Sequence, residues 1–235
     1  MSSVEGQYGY GKQSMMVSIV RTNLLLYLDA GNSQSYPGSG TTWFDLSPNS
    51  NNATSLTGVS YSSLNGGYLT FNGSTGSGLI DTNKYNTSYT GKTVFIAGNL
   101  SGITAGTYRA MIGSGAGNRN FNFYFYSPSA NTYQLHFSAG GSGFITTNIS
   151  YTPGNWFTVA FTQALDGTTI CYLNGIQFYQ TTVTFSQYLS GTEYVGRADN
   201  FWFGPLSVIC VYKSALSAAD ILNNHNSVKG RYGLS

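Results

Sequence analysis

The sequence predicts an all-β, antiparallel protein, a sandwich or a barrel, with one short helix near its C-terminus. Three features carry this. Runs of four to eight residues rich in β-branched and aromatic side chains recur along the chain and are bounded by Gly, Asn, Ser or Pro. Candidates for type I′ hairpin turns, in which both central residues take positive φ, sit between them: Asn65-Gly66, Asn72-Gly73, Asp166-Gly167 and Asn174-Gly175. No helical period separates the runs until the C-terminal end, which excludes a parallel α/β fold.

The predicted strands, in order, begin with Leu24 to Leu28, Tyr68 to Phe71 and Thr93 to Ile96. Phe121 to Tyr126, Tyr133 to Phe137, Phe144 to Ile149 and Trp156 to Thr162 follow. The last are Thr168 to Leu173, Ile176 to Tyr179, Thr182 to Phe185 and Leu206 to Tyr212. Gly113-Ser114-Gly115-Ala116-Gly117 reads as a loop between strands. Ser217-Ala218-Ala219-Asp220 has the form of a capping box, and Lys229-Gly230 a fitting end, so a helix is expected over 218–228 at the sandwich edge. Residues 1–22 differ in composition and read as an arm. It is either a frayed terminus or a docking segment, with Tyr8, Tyr10 and Lys12 as the docking candidates. Residues 23–235 form the β domain.

Charged residues make up only 8% of the 235, against a usual share of about 25%. A surface of Ser, Thr, Asn, Gln, Tyr and Gly is therefore expected, suited to packing on neighbours or touching sugars. It is only weakly self-repelling, so a homo-oligomer is expected. The net charge is +2 with no basic run, which argues against nucleic-acid binding. There is no apolar stretch of membrane-spanning length and no basic-then-apolar leader, so neither membrane insertion nor signal-directed secretion is expected. Cys171 and Cys210 sit in apolar runs and read as two unbridged thiols.

Chemistry is sparse. The eight acids are Glu5, Asp29, Asp45, Asp81, Asp166, Glu193, Asp199 and Asp220. A glycosidase needs two carboxylates across a cleft, and the nearest approximation, Glu193 with Asp199, reads as the two flanks of a turn. No catalytic residue, cofactor or metal is assigned. Asp29, Asp45 and the Asn49 to Asn52 loop offer oxygen ligands for calcium, but Asp45 capping its own turn through Ser47 is the favoured reading. His225, on the terminal helix, reads as solvated.

The sharpest binding candidate is a strand face. Phe121, Phe123 and Phe125, and likewise Tyr133, Leu135 and Phe137, alternate toward one side, leaving Asn122, Tyr124, Tyr126, Gln134 and His136 on the other. Rings offer sugar C–H faces a flat partner, and amides bond hydroxyls. The alternatives are an ordinary polar outer face or a contact with another subunit.

The order of the segments resembles a known family. Leu25 to Asn32, Ser35 to Trp43 and Asp45-Leu46-Ser47 resemble the opening of a concanavalin A-like/laminin-G-like jelly roll. Tyr68 to Ser74, Trp156 to Ala160, Tyr172-Leu173-Asn174-Gly175, Val195-Gly196-Arg197 and Val211 to Ser217 resemble its later strands and helix entry. The resemblance implies an antiparallel β-sandwich of jelly-roll type. The opening wording, and the ending Gly230 to Gly233, are similar to copies encoded by tailed bacteriophages. That implies a non-enzymatic virion structural protein, a capsid decoration or fibre module. Its partners would be other virion proteins and a host surface polysaccharide. A carbohydrate-binding adhesin and, less favoured, a polysaccharide hydrolase are the alternatives.

Overall fold

The structure is a computed structural model. It describes residues 18–81, 89–114, 122–138, 145–183 and 192–235. The strands are β1 (Leu24–Asp29), β2 (Ala53–Thr57), β3 (Val59–Ser62), β4 (Tyr68–Asn72) and β5 (Ser77–Asp81), followed by β6 (Gly91–Asn99), β7 (Thr107–Ser114), β8 (Asn122–Ser127), β9 (Tyr133–Ser138) and β10 (Ile145–Ile149). Then come β11 (Trp156–Ala164), β12 (Thr168–Leu173), β13 (Ile176–Thr182), β14 (Thr192–Val195), β15 (Phe203–Tyr212) and helix α1 (Ala218–Tyr232). One sheet runs β13-β12-β11-β6-β15-β4-β3, with β1 also paired to β15; the other runs β10-β9-β8-β7-β14-β5-β2. Every strand pair is antiparallel.

Alternation explains the layers. Val94 and Ile96 of β6, Phe123 and Phe125 of β8, and Phe157, Val159 and Phe161 of β11 share the core between the sheets. The opposite face of the first sheet is covered by α1. Phe95, Ala97, Ala160, Tyr172, Cys210 and Tyr212 pack there with Ile221, Val228 and Tyr232. The helix therefore lies on a sheet face rather than at the sandwich edge. Its start is the predicted capping box, Ser217 with Asp220, but it continues through Gly230 to a left-handed cap at Gly233, φ 67°. Tertiary contacts hold the extra turn against glycine's poor propensity. Arg231 pairs with Asp29 through both nitrogens (2.6 and 2.8 Å), and the Tyr232 hydroxyl donates to Ser207 Oγ at 2.7 Å.

Three further expectations change. His225 is buried, with Nδ1 2.8 Å from Thr158 Oγ1, because it faces the sheet and not solvent. Gly113-Ser114 ends β7 instead of opening a loop, since β14 pairs with it. Of the four dipeptides, Asn65-Gly66 and Asn174-Gly175 have both φ values positive, whereas Asn72 and Asp166 do not. Asn72 instead stays in β4, where its Oδ1 accepts from the Ser74, Thr75 and Gly76 N–H groups.

Phe121, Phe144, Phe185 and the docking candidates Tyr8, Tyr10 and Lys12 lie outside the described residues. The described stretch just before β1 lies along α1 of its own chain: Asn223 Nδ2 donates to Ser18 O, and Val20 N–H donates to Asn224 Oδ1. Cys171 and Cys210 are both free and buried, one in the core between the sheets and one beneath α1. Among the described residues no helix is long and apolar enough to cross a membrane.

Candidate functional site

Period-two alternation places Tyr124, Tyr126, Gln134 and His136 on the outer face of the second sheet, as expected. Tyr108, from β7, joins them: its ring stacks on Tyr126 at 4.3 Å and meets His136 edge-on at 5.4 Å. The sequence reading missed Tyr108 because β7, broken by small residues and Arg109, carries a weak strand signal. His136 lies 5.0 Å from the Tyr126 ring. These rings cover one another, so part of the face is closed. Asn122 and Tyr124 are 1% and 2% exposed, and Asn122 Oδ1 accepts the Ser114 N–H at 2.8 Å. Those two residues support the face from beneath and do not present a surface. Burial holds the His136 imidazole down at about 4, so it is neutral around pH 7.

Tyr126 and Gln134 are half-buried and reach the rim. Gln134 Nε2 donates to Asn148 Oδ1 at 2.8 Å, and Gln134 Oε1 sits 3.1 Å from His136 Nε2. Asn148 leads into a cleft that the sequence reading did not locate. It has a volume of about 750 Å³ and opens where the β9–β10 side of one sheet meets the start of β11 and the β12–β13 hairpin of the other. That size falls within the usual range for ligand sites, roughly 300–1,000 Å³.

The turn from Pro128 to Thr132, then Tyr133, forms one wall, and Asn148 to Thr152 forms another. Asn155, Trp156, Phe157, Leu173 and Asn174 complete the lining. Asn131 and Asn174 sit at turn tips with positive φ, 59° and 50°, a conformation asparagine tolerates better than most residues. Asn174 Oδ1 accepts the Thr158 N–H at 2.9 Å, which fixes the hairpin against β11. Trp156 is clamped by stacking on Tyr232 at 4.3 Å, so the terminal helix orients a cleft residue.

Tyr151 is the tie beneath the cleft. Its ring contacts Phe125, Tyr133 and Phe157. Its hydroxyl oxygen accepts the Leu100 N–H at 3.0 Å and donates to Asn155 O at 2.8 Å. Burial pushes the Tyr151 phenol well above its ordinary value, so it stays a donor.

Among the described residues, no Asp, Glu, His, Lys or Arg lines the cleft. Asp45, Asp29 and Glu193 are engaged elsewhere. Asp45 accepts from Ser47 N–H and Oγ–H and from the Tyr27 and Asn51 N–H groups, which makes it the brace of its own loop, as favoured. Asp29 holds Arg231. Glu193 does not flank a turn with Asp199: it lies in β14 and is 2% exposed, whereas Asp199 is exposed. Its β14 neighbour Val195 and the β6 pair Val94 and Ile96 belong to the intersheet core, so alternation aims Glu193 and Lys92 inward from facing sheets. Burial pushes Glu193 up to about 8 and Lys92 down to about 8, each opposed by the other's charge. Among the described residues no three His, Cys, Asp or Glu side chains gather to hold a metal.

Residues 99–222, just over half of the chain, match the laminin-G type 3 family, described as the concanavalin A-like lectin/glucanases superfamily. The chain belongs to this family. No curated protein matches it in sequence. Solved structures do resemble it in fold. The binding domain of botulinum neurotoxin DC, in complex with SialylT, superposes with a TM-score of 0.68 at 16% identity over 88% of this chain and 52% of that one. Trypanosoma rangeli sialidase gives 0.66 at 13% over 91% and 34%. The receptor-binding domain of botulinum neurotoxin type G gives 0.64 at 11% over 87% and 51%. At these identities the likeness establishes the fold alone, a lectin-type β-sandwich. The chain spans about half the length of the toxin domains and a third of the sialidase.

Proposed function

We propose that this laminin-G-type chain is a non-catalytic carbohydrate-binding module, borne as a structural and display element on a bacteriophage particle. The observation that carries the binding role is the cleft, in which aromatic side chains alternate with amides and hydroxyls from both sheets. Amides donate to and accept from sugar hydroxyls, while rings cover apolar sugar faces. The solved binding domain that superposes on the chain was captured with SialylT, and another neighbour is a sialidase. Binding without turnover is supported by the uncharged lining, since glycoside hydrolysis calls for two carboxylates across the bound sugar. The particle setting is supported by the opening and closing motifs and by the 8% charge, which suits close packing in an assembly and a homo-oligomer.

A glycan array probed with the full chain tests the binding role. At least one glycan class should bind, and Asn155→Ala should weaken it about three- to tenfold, the worth of one or two hydrogen bonds. An array blank at high protein concentration removes the proposal. Mass spectrometry of purified particles from the producing phage tests the setting: absence of the chain from clean particles leaves a free lectin-like protein.

A further inference from the structure

The cleft does not end at its rim. Asn148 pairs across the sheet with Gln134, Gln134 with Tyr126, and Tyr126 with Tyr108. These are direct cross-strand partners on four adjacent strands, β10, β9, β8 and β7, so their side chains form one row on the outer face. At about 4.8 Å per strand the row runs about 14 Å beyond the cleft. Asn148 is exposed, and Gln134, Tyr126 and Tyr108 are half-buried, so every member of the row keeps some surface. The Gln134–Asn148 bond and the stacked Tyr108–Tyr126 rings hold it in shape before any ligand arrives.

Charge decides what such a groove takes. Among the described residues, neither the lining of the cleft nor the row contains an Asp, Glu, His, Lys or Arg. An anionic sugar would lose water from its carboxylate and gain no Arg or Lys partner among the described residues in return. Hydroxyls face no such penalty, because amides and phenols satisfy them in either sense.

We infer that the cleft and the row form one continuous groove for an uncharged polysaccharide chain, the cleft holding one segment and the row the next. This rests on the carbohydrate-binding reading and names its ligand class.

The test is affinity electrophoresis of the full chain in gels containing amylopectin, yeast mannan or xylan, and in gels containing polygalacturonate or polysialic acid. The expected result is retardation by at least one neutral polymer, unchanged between low and high salt, and none by the acidic pair. Calorimetry with fragments of the retarding polymer should then show affinity rising with chain length. Tyr126→Ala and Gln134→Ala should weaken the polymer about three- to tenfold, with losses that grow with length, whereas Asn155→Ala should act at every length. Circular dichroism of each variant separates lost binding from lost fold. Retardation by an acidic polymer alone, weakened by salt, overturns the inference and leaves the carbohydrate-binding reading standing. Fragments that bind as tightly as the polymer, with Tyr126→Ala and Gln134→Ala unaffected, overturn the groove alone. Silence toward every polymer removes both.

Discussion

Tyr151→Phe removes one oxygen from the tie beneath the cleft and leaves the ring in place. The ring keeps its neighbours, with Phe125 at 5.2 Å and Phe157 at 5.5 Å. What goes is the acceptor for the Leu100 N–H and the donor to Asn155 O. Leu100 is wholly buried, so its N–H loses the acceptor where water does not easily reach. An unsatisfied buried donor costs about 1–3 kcal/mol, and the more exposed Asn155 carbonyl recovers a water at little cost. We expect a loss of about 2 kcal/mol, or about 4–8 °C in Tm for a chain of this size. Urea unfolding followed by tryptophan fluorescence reads it, with an unchanged slope expected. The freed turn carries Asn155 and adjoins Trp156, so glycan affinity should drop in the same variant well below its Tm. Stability within about 0.5 kcal/mol of wild type, the scatter of substitutions that touch nothing, would refute this account of the tie.

Two further outcomes follow from the buried charges. Glu193 is raised to about 8 by burial from an ordinary 4.5, so its contribution to stability is full below pH 4.5 and is lost as pH rises toward 8. Lys92, lowered to about 8 from 10.5, acts oppositely: its contribution is full above 10.5 and falls away as pH drops through 8. Wild-type Tm should therefore fall relative to Glu193→Gln as pH rises from 5 to 8, and a flat difference in scanning calorimetry contradicts the buried placement. Arg231→Met should cost about 2–3 kcal/mol, at or below the low end for a broken buried pair, because the arginine side chain is 29% exposed. A double variant with Asp29→Asn should lose less than the sum of the single losses.

The strands read most clearly from the sequence are those whose inner face is continuous. Phe123, Phe125, Leu135 and Phe137 alternate so cleanly that the faces of β8 and β9 are legible without a structure. Thr168 to Leu173 was read to the residue. β2, β3, β5, β7 and β14 were not read. They are short or rich in Ser, Thr and Gly, and their strand character comes from the neighbours that pair with them. The same reason hid Tyr108, which completes the ring cluster.

By itself the sequence determined the antiparallel β class, the capping box at Ser217, the brace at Asp45 and the side of the sheet that carries Tyr124, Tyr126, Gln134 and His136. These are local matters, governed by a period of two, by turn geometry and by hydrogen bonds a few residues long. Tertiary structure alone decided that Arg231 reaches Asp29 across 202 positions, that Glu193 points inward, and that Tyr133, Tyr151, Trp156 and Asn174 enclose one cleft. Those placements depend on which strands become neighbours. That choice is made by burying both sheets' apolar faces together, and it leaves no periodic trace in the chain.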